Sequence, residues 1–197
     1  MIQKAARDFA QKDCLPGVIE RDEKQQFPRE QIMKLAELGF LGMMVDPKYG
    51  GAGMDTISYV LAMEEISKVD ASVSVVVSVN NSLVCYGLEA YGSEEQKKKW
   101  LPSLAKAEKI GCFGLTEPDF GSNPGGMITN AKKVDGGYIL NGAKMWITNS
   151  PIADIAVVWA KLEGVVHGFL VERGFKGFET PETHGKLSLR ASITGEI

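Results

Sequence analysis

The sequence has few of the residues that build metal centres and disulfide frameworks. Its 197 residues include only three cysteines, Cys14, Cys85 and Cys112, with no CxxC pair. The two histidines, His167 and His184, lack metal-ligand spacing. An odd number of isolated cysteines argues against a zinc site and against a disulfide framework, and it favours a reducing compartment. We therefore expect no metal.

Several motifs and charge patterns are also missing. No P-loop is present and no GxGxxG precedes a helix, so nicotinamide binding is not supported. A net charge of −3, from 22 basic and 25 acidic residues, gives no reason to expect nucleic acid or an anionic membrane as partner. The first residues, MIQKAARDFAQKD, are amphipathic and unlike a secretory signal. We expect a cytoplasmic protein in bacteria, or a mitochondrial-matrix protein in a eukaryote.

Helical periodicity extends from residue 1 to about residue 108. Pro28 is placed for the first turn of a helix that Gly39 ends, and a further helix is predicted over Thr56–Lys68. The run Ala71–Gly92 is apolar almost all round. Its four valines within 73–77 would suit a strand, but its unbroken length favours a buried central helix.

The next helix opens with a capping box formed by Ser93 and Gln96. It carries Glu94 and Lys98 at i,i+4 spacing. We therefore interpret the lysine run 97–99 as a solvated face and not as a binding patch.

From about Ile110 the pattern changes to short β-rich runs. Asp135-Gly136-Gly137 and Asn141-Gly142 are hairpin signals. The predicted strands are Gly111–Leu115, Tyr138–Leu140, Lys144–Thr148, Ile155–Lys161 and His167–Glu172. The predicted fold class is α+β, with a helical domain at residues 1–108. An antiparallel β domain of barrel-like or sandwich form would follow at 109–197.

The segment GCFGLTEPDFGS combines a strand with a polar loop. Phe113 and Leu115 share one face of the strand, which ends at Pro118. Thr116 offers a hydroxyl and a backbone N–H to the edge of a heteroaromatic ring. Ser122 lies in a glycine-containing loop that a ligand could approach closely. An ordinary strand and tight turn is the alternative for this segment alone.

The segment YILNGAKMWITN supplies the second half of the pattern. Alternation along Lys144–Thr148 puts Trp146 and Thr148 on one side. An indole beside a threonine hydroxyl suits stacking on, and hydrogen bonding to, an isoalloxazine, although a strand tryptophan alone is more often a core residue. Together the segments predict one planar, polar-edged ligand that meets Thr116, Ser122, Trp146 and Thr148.

At these residues the sequence resembles the acyl-CoA dehydrogenase family. GLTEPDFGS resembles the family's flavin and acyl-CoA signature, and MWITN resembles the strand that holds the flavin face. Three further segments are similar to sequences of family members: YGGAGMD, AYGSEEQKKKWLPSLAKAEKIG and LNGAKMWITNS. The resemblance therefore covers essentially the whole chain. It implies a helical N-terminal domain, a middle β domain and a C-terminal four-helix domain.

The resemblance also implies residue roles. Thr116 and Thr148 would approach the flavin's pyrimidine and N5 edges, and Gly121 and Ser122 would face the acyl-CoA, with Ser122 bonded to the pantetheine arm. The full set implied to line FAD is Phe113, Leu115, Thr116, Trp146, Ile147 and Thr148.

The reaction implied by the resemblance is α,β-desaturation of an acyl-CoA thioester. Electrons would pass to an electron-transfer flavoprotein, and the full-length protein would be a homotetramer. The family's catalytic glutamate lies beyond residue 197, so we assign no catalytic residue and expect Glu117 and Asp119 to be turn-formers. The chain would be inactive alone and prone to association through exposed strand edges and an apolar helical face.

The two halves resemble different subfamilies. The first half is similar to bacterial short-chain, butyryl-type enzymes, and the second half is similar to glutaryl-CoA dehydrogenases. The glutaryl-type enzymes use an arginine in the central helix for the substrate's distal carboxylate, and Ser74 stands at that position here. We therefore expect a short-chain substrate. The alternatives are glutaryl-type oxidative decarboxylation, a flavin oxidase or monooxygenase, or a non-catalytic flavin- or acyl-CoA-binding fragment.

Overall fold

The computed structural model describes residues 1–197, with helices in the first half and strands in the second. The helices are α1 (Ile2–Phe9, continued by a π-helical segment at Ala10–Cys14), α2 (Val18–Glu23), α3 (Arg29–Glu37), α4 (Thr56–Ser67), α5 (Ala71–Ser78), α6 (Tyr86–Tyr91) and α7 (Glu94–Ala105). The strands are β1 (Gly111–Gly114), β2 (Asn130–Val134), β3 (Gly137–Asn141), β4 (Ile147–Thr148), β5 (Ile155–Leu162), β6 (Val165–Glu172) and β7 (Thr194–Gly195). This order confirms the predicted α+β class.

A continuous central helix runs through the first half of the molecule, as predicted. It joins α5 and α6 through the π-helical segment Val79–Cys85. The Asp70 carboxylate begins it by accepting a hydrogen bond from the Val73 backbone N–H at 3.1 Å. The helix Ala71–Tyr91 is long and apolar enough to cross a membrane, but 61% of its most apolar window is buried inside the protein. It is therefore the core helix of the fold.

Two buried asparagines of the π-helical segment hold the chain that follows α3. Asn80 donates to the carbonyl oxygen of Leu41 at 2.7 Å. Asn81 donates to the carbonyl oxygen of Phe40 at 2.8 Å and accepts from the N–H of Met43 at 2.8 Å. These side chains satisfy backbone groups that have no secondary-structure partner, so this buried connection needs no water.

The main sheet is mixed, which corrects the prediction of a purely antiparallel domain. β5 is its centre: it pairs antiparallel with β6 over its full length and parallel with both β1 and β2. β2 and β3 form an antiparallel hairpin across the predicted Asp135-Gly136-Gly137 turn. β4 and β7 form a separate two-stranded sheet. Long crossover connections before β5 return the chain in the direction of β1, and the strands form no closed barrel.

The second predicted hairpin, at Asn141-Gly142, is wrong. Asn141 ends β3 opposite Asn130, and the chain leads from there to β4, whose partner is β7. Gly142 has φ +153°, and a Cβ there would lie 2.4 Å from the Thr129 hydroxyl oxygen. Glycine at this position therefore permits a close approach to Thr129, just before β2, and does not form a two-residue turn.

The sheet packs one face against the helices. Ile155 and Val157 of β5 share a buried cluster with Val84, Leu88 and Leu101 of the helical part. The opposite face carries its own cluster, formed by Cys112, Ile147, Ala153, Ala156 and Val158. Cys112 is fully buried, as expected for a small packing residue.

Ion pairs add to the contact between the helical part and the later segments. Arg190 binds Asp22 of α2 with an Nε–Oδ2 distance of 2.7 Å. Lys99 of α7 binds Glu172 at the end of β6 at 2.5 Å. The predicted pairing of Glu94 with Lys98 is absent: the Glu94 carboxylate accepts from the hydroxyl of Tyr49 at 2.9 Å and lies 3.7 Å from the Lys97 ammonium. The capping box of α7, formed by Ser93 and Gln96, is present as predicted.

Candidate functional site

The two chemically specialised segments meet in the structure. The backbone N–H of Met145 donates to the carbonyl oxygen of Thr116 at 2.9 Å. The Lys144 ammonium donates to the carbonyl oxygen of Leu115 at 3.1 Å. The end of β1 and the approach to β4 therefore form one junction, which we call the Thr116–Met145 junction.

The backbone at this junction is unusual at Trp146. This residue has φ +61°, a left-handed conformation that is rare for a bulky side chain. Only Ile147–Thr148 is a strand, so the predicted strand Lys144–Thr148 is too long by three residues. The left-handed Trp146 interrupts the extended backbone predicted over this range. Such strain is concentrated at functional sites in proteins.

Polar and aromatic groups at the junction are free to meet a ligand. The indole of Trp146 is 59% exposed. Thr116 and Thr148 are half-buried, and neither hydroxyl makes a hydrogen bond within the chain. An exposed aromatic surface and unpaired hydroxyl donors on two joined segments suit a planar ligand whose edge carries hydrogen-bonding atoms. The donor set thus fits an isoalloxazine ring.

The apolar residues predicted for the site lie in different environments. Phe113 is half-buried and packs edge-on against Trp159, with ring centroids 5.9 Å apart. Leu115 is half-buried just beyond the end of β1. Ile147 is only 3% exposed and belongs to the cluster on the far face of the sheet. Its side chain is therefore a core group, and its backbone is what reaches the junction.

Glu117 begins the predicted turn through its backbone, and its side chain is in addition a buried charged group that the sequence interpretation missed. Its carboxylate pairs with the Lys144 ammonium at 2.8 Å, and the two side chains are 2% and 1% exposed. It also accepts hydrogen bonds from the backbone N–H groups of Ile128 at 2.7 Å and Thr129 at 3.0 Å. Sequence reasoning missed this pair because its partners are separated by 27 residues. Local spacing gives no signal for such a contact.

The Glu117 carboxylate is ionised at neutral pH. Burial alone would raise the pKa of Glu117, but hydrogen bonds from Lys144 and from the Ile128 and Thr129 amides outweigh it and bring the pKa to about 2. Burial lowers the pKa of Lys144 below its ordinary value, and Glu117 offsets part of that shift. A carboxylate held in this way is a poor proton acceptor.

Gly121 and Ser122 lie in the exposed loop between Glu117 and Met127. Near its start, Glu117 and Phe120 exchange two backbone hydrogen bonds of 3.2 Å. The Glu117 carboxylate binds amides just past its end, so both ends of the loop are fixed to one side chain. Asp119 is exposed at the turn, as predicted.

A cavity of about 600 Å³ lies in the strand-built part. Its walls are formed by β3, β6, the segment 175–179 and the approach to β4, including Lys144. None of the eight predicted site residues lines this cavity.

Ser74, the position that separates the two subfamily interpretations, faces the inside of the helical part. It is 5% exposed, and its hydroxyl lies 2.5 Å from the hydroxyl of Ser67 on α4. No cationic side chain is bonded to either serine. This position therefore offers no charged partner to a substrate carboxylate.

Both halves of the chain match domains of one known protein family. Residues 1–108 match the acyl-CoA dehydrogenase N-terminal domain, and residues 112–197 match the acyl-CoA dehydrogenase middle domain. The chain therefore belongs to the acyl-CoA dehydrogenase family. Members of this family are oxidoreductases.

Individual relatives represent both subfamilies. The short-chain specific acyl-CoA dehydrogenase of Clostridium acetobutylicum is 39% identical over 202 residues, covering 100% of this chain and 53% of its own length. A glutaryl-CoA dehydrogenase from Mycobacterium smegmatis, solved in complex with FADH2, has a TM-score of 0.96 and 47% identity, with coverage of 99% and 50%. A chain in a structure described as the electron transferring flavoprotein of Acidaminococcus fermentans has a TM-score of 0.94 and 40% identity, with coverage of 100% and 53%.

The chain spans about half the length of the curated relatives it matches. The similarity extends over both of its parts, and the relatives include bacterial and mitochondrial proteins. The matched region covers the whole of this chain and therefore includes the Thr116–Met145 junction.

Proposed function

We propose that this chain is the flavin- and acyl-CoA-holding part of an FAD-dependent acyl-CoA dehydrogenase. It would comprise a helical domain at residues 1–108 and a middle β domain at 109–197. The observation that carries the proposal is the Thr116–Met145 junction, which joins the segment of Thr116 to the segment that holds the exposed Trp146 and Thr148. When bound, FAD supplies the two-electron acceptor that desaturation of an acyl thioester requires.

The residues of this chain would bind and orient the reactants. Thr116 and Thr148 would donate hydrogen bonds to the ring edge, and Trp146 would cover the ring. Phe113, Leu115 and the Ile147 backbone would complete the wall. Gly121 and Ser122 would face the acyl-CoA, with the Ser122 hydroxyl bonded to the pantetheine arm.

The proton-removing step has no candidate among residues 1–197. Glu117 is buried and ion-paired, and its pKa is about 2. It is therefore too weak a base to remove a proton from the α-carbon of an acyl thioester. Asp119 is an exposed turn residue. We therefore assign this chain to binding and orientation, and no residue of it to the base.

A short-chain acyl-CoA is the substrate that the central helix favours. Ser74 is buried against Ser67 and leaves no cation for a second carboxylate. Burying an unpaired carboxylate is costly, so a dicarboxylyl-CoA would be disfavoured. Glutaryl-CoA is the second candidate, because a glutaryl-CoA dehydrogenase is 47% identical.

The partners follow from the same proposal. An electron-transfer flavoprotein would accept the electrons, which the similarity to a chain of the Acidaminococcus fermentans structure supports. The full protein would be a homotetramer in a reducing compartment, either the bacterial cytoplasm or the mitochondrial matrix. The three free, buried cysteines fit such a compartment.

An anaerobic titration tests the function. The protein, expressed at the length its gene encodes and loaded with FAD, is mixed in turn with butyryl-CoA and glutaryl-CoA while the visible flavin absorbance is recorded. We expect butyryl-CoA to bleach the flavin and glutaryl-CoA to leave it oxidised. Bleaching by glutaryl-CoA with release of carbon dioxide would establish the second candidate. Absence of bleaching by either compound would refute the dehydrogenase proposal for these substrates.

A further inference from the structure

The buried pair Glu117–Lys144 connects three stretches of chain that are far apart in sequence. Glu117 follows Thr116 directly, and its carboxylate accepts from Ile128, Thr129 and Lys144. Each of these contacts closes a loop of 11 to 27 residues. One carboxylate therefore fixes the start and end of the Gly121–Ser122 loop to the approach to β4.

Lys144 is held just as firmly from its own side. Its ammonium also donates to the carbonyl oxygen of Leu115 at 3.1 Å. Its backbone exchanges hydrogen bonds of 2.8 Å and 3.0 Å with Ile197. A Cβ on Gly114 would lie 3.2 Å from Lys144 Cγ, so glycine in β1 makes room for the lysine stem.

An ion pair at this depth needs a reason beyond stability. Removing two charges from water is costly, and an apolar pair of similar volume is often as stable or more so. An ion pair with additional hydrogen bonds differs from an apolar pair because its hydrogen bonds are directional. It fixes which backbone groups lie opposite each other, whereas apolar side chains can slide.

We propose that Glu117 and Lys144 are a positioning pair for the site. Their ion pair holds Thr116 beside Met145, keeps Trp146 in its left-handed conformation and anchors the loop that carries Gly121 and Ser122. The pair thereby keeps the ring-binding and the acyl-CoA-binding surfaces in one fixed arrangement. The ligand side of this inference rests on the proposed function, whereas the junction itself does not.

Amide hydrogen exchange tests the junction without any ligand. The readout is the Met145 amide, which donates to Thr116 and touches neither side chain of the pair. Glu117→Gln and Lys144→Met are made singly and together, since each single variant leaves a buried group unpaired. We expect the double variant to recover the unfolding midpoint lost by the single variants. Its Met145 amide should still exchange at least about tenfold faster than in the wild type, a factor that corresponds to about 1.4 kcal/mol.

Two controls separate positioning from general loosening. The amide of Val157, in the middle of β5, should keep its wild-type exchange rate in the double variant. Lys109→Met removes a half-exposed ion pair of 2.8 Å with Asp154 and should leave the Met145 amide unchanged. Wild-type protection of Met145 in the double variant would overturn the positioning role.

A second arm measures the ligand. FAD affinity is followed by flavin fluorescence in the protein at its gene-encoded length, and we expect at least about tenfold weaker binding in the double variant. Faster exchange with unchanged FAD affinity would refute the link between the pair and the ligand. A wild-type protein that binds no FAD would refute the proposed function, and the exchange experiment would still decide the role of the pair.

Discussion

Trp146 combines two properties that rarely occur together in one residue. Its backbone is left-handed at φ +61°, and its large side chain is mostly exposed. A left-handed conformation costs an L-residue roughly 1–2 kcal/mol, so a tryptophan here is retained against a conformational cost. Burial does not compensate that cost, because 59% of the residue faces solvent. The exposed indole is therefore available to the ligand proposed above.

Replacing Trp146 should separate stability from binding. In Trp146→Gly the backbone strain is relieved while the unfolded chain gains freedom, so the free energy of unfolding should change by less than about 1 kcal/mol. FAD affinity should fall by about three- to tenfold, because an aromatic contact is lost. Trp146→Phe, which keeps a ring on the strained backbone, should retain more of the affinity. A loss of several kcal/mol by urea unfolding in the glycine variant would show that the indole is a core group.

Glu117 predicts a specific acid response. Its folded-state pKa, about 2, lies below its ordinary value of 4.5. A depressed carboxyl pKa stabilises the folded state above the unfolded value and loses that contribution as the pH falls through the folded value. The urea concentration at the unfolding midpoint should therefore decrease as the pH is lowered from about 5 to about 2. Glu117→Gln should show a smaller decrease over this range.

Glu65 provides the matched comparison for the acid experiment. Hydrogen bonds from Arg7 outweigh desolvation and bring its pKa to about 2 as well. Glu65→Gln should likewise reduce the decrease of the urea midpoint at low pH. It should leave FAD affinity unchanged, because Glu65 lies on α4 within the helical part. Equal pH profiles for wild type and Glu117→Gln would contradict the assignment of the buried pair.

At the scale of elements, the central helix depends on polar anchors as well as on apolar burial. Asn81 is 1% exposed and satisfies the Phe40 carbonyl and the Met43 amide. Asn81→Ala should cost about 2–4 kcal/mol of unfolding free energy, because both backbone groups remain buried without partners. Urea unfolding measures this loss. Ser82→Ala, which removes one half-buried bond to the Ser78 carbonyl, should cost less than about 1 kcal/mol. Equal losses in the two variants would contradict the anchor role of Asn81.

The elements that sequence predicts well are those with local causes. α4 was predicted at Thr56–Lys68 and spans Thr56–Ser67, and the capping box of α7 is present. Both depend on spacing within a few residues. The resemblance to family sequences likewise indicated the fold class.

The elements that sequence misses depend on distant partners. β2 has one buried residue among five and gives no alternating signal, so its pairing with β5 was not found. The parallel pairing of β1 with β5 and the Glu117–Lys144 pair are fixed by crossings of 27 residues or more. At the candidate site, local pattern singles out Thr116, Thr148 and Trp146 for a prediction but gives no signal for the charged pair Glu117–Lys144.

At the scale of the whole molecule, large apolar side chains remain on the surface of two helices. Ile57 and Val60 of α4 are 70% and 55% exposed, and Tyr86 and Tyr91 of α6 are 56% and 82% exposed. Exposed large apolar side chains favour contact with other protein surfaces. The 197-residue chain should therefore associate with itself.

Light scattering after gel filtration checks this expectation. The apparent mass of the isolated chain should rise with concentration above the 21.4 kDa of one copy. The double variant Ile57→Lys/Val60→Lys should shift it toward one copy, because charge replaces exposed apolar surface. Monodisperse, cooperatively unfolding protein with stoichiometric FAD would contradict the expectation of an association-prone chain.

The central claim is that the Thr116–Met145 junction holds the edge of a flavin, and an FAD titration tests it most directly. The protein at its gene-encoded length is compared with Thr116→Val and Thr148→Val, with Thr56→Val as an exposed hydroxyl control. We predict saturable binding by the wild type and the control. Each junction variant should bind about three- to tenfold more weakly, as expected for one lost hydrogen bond. Equal FAD affinity in all four proteins, or no binding by the wild type, would contradict the account.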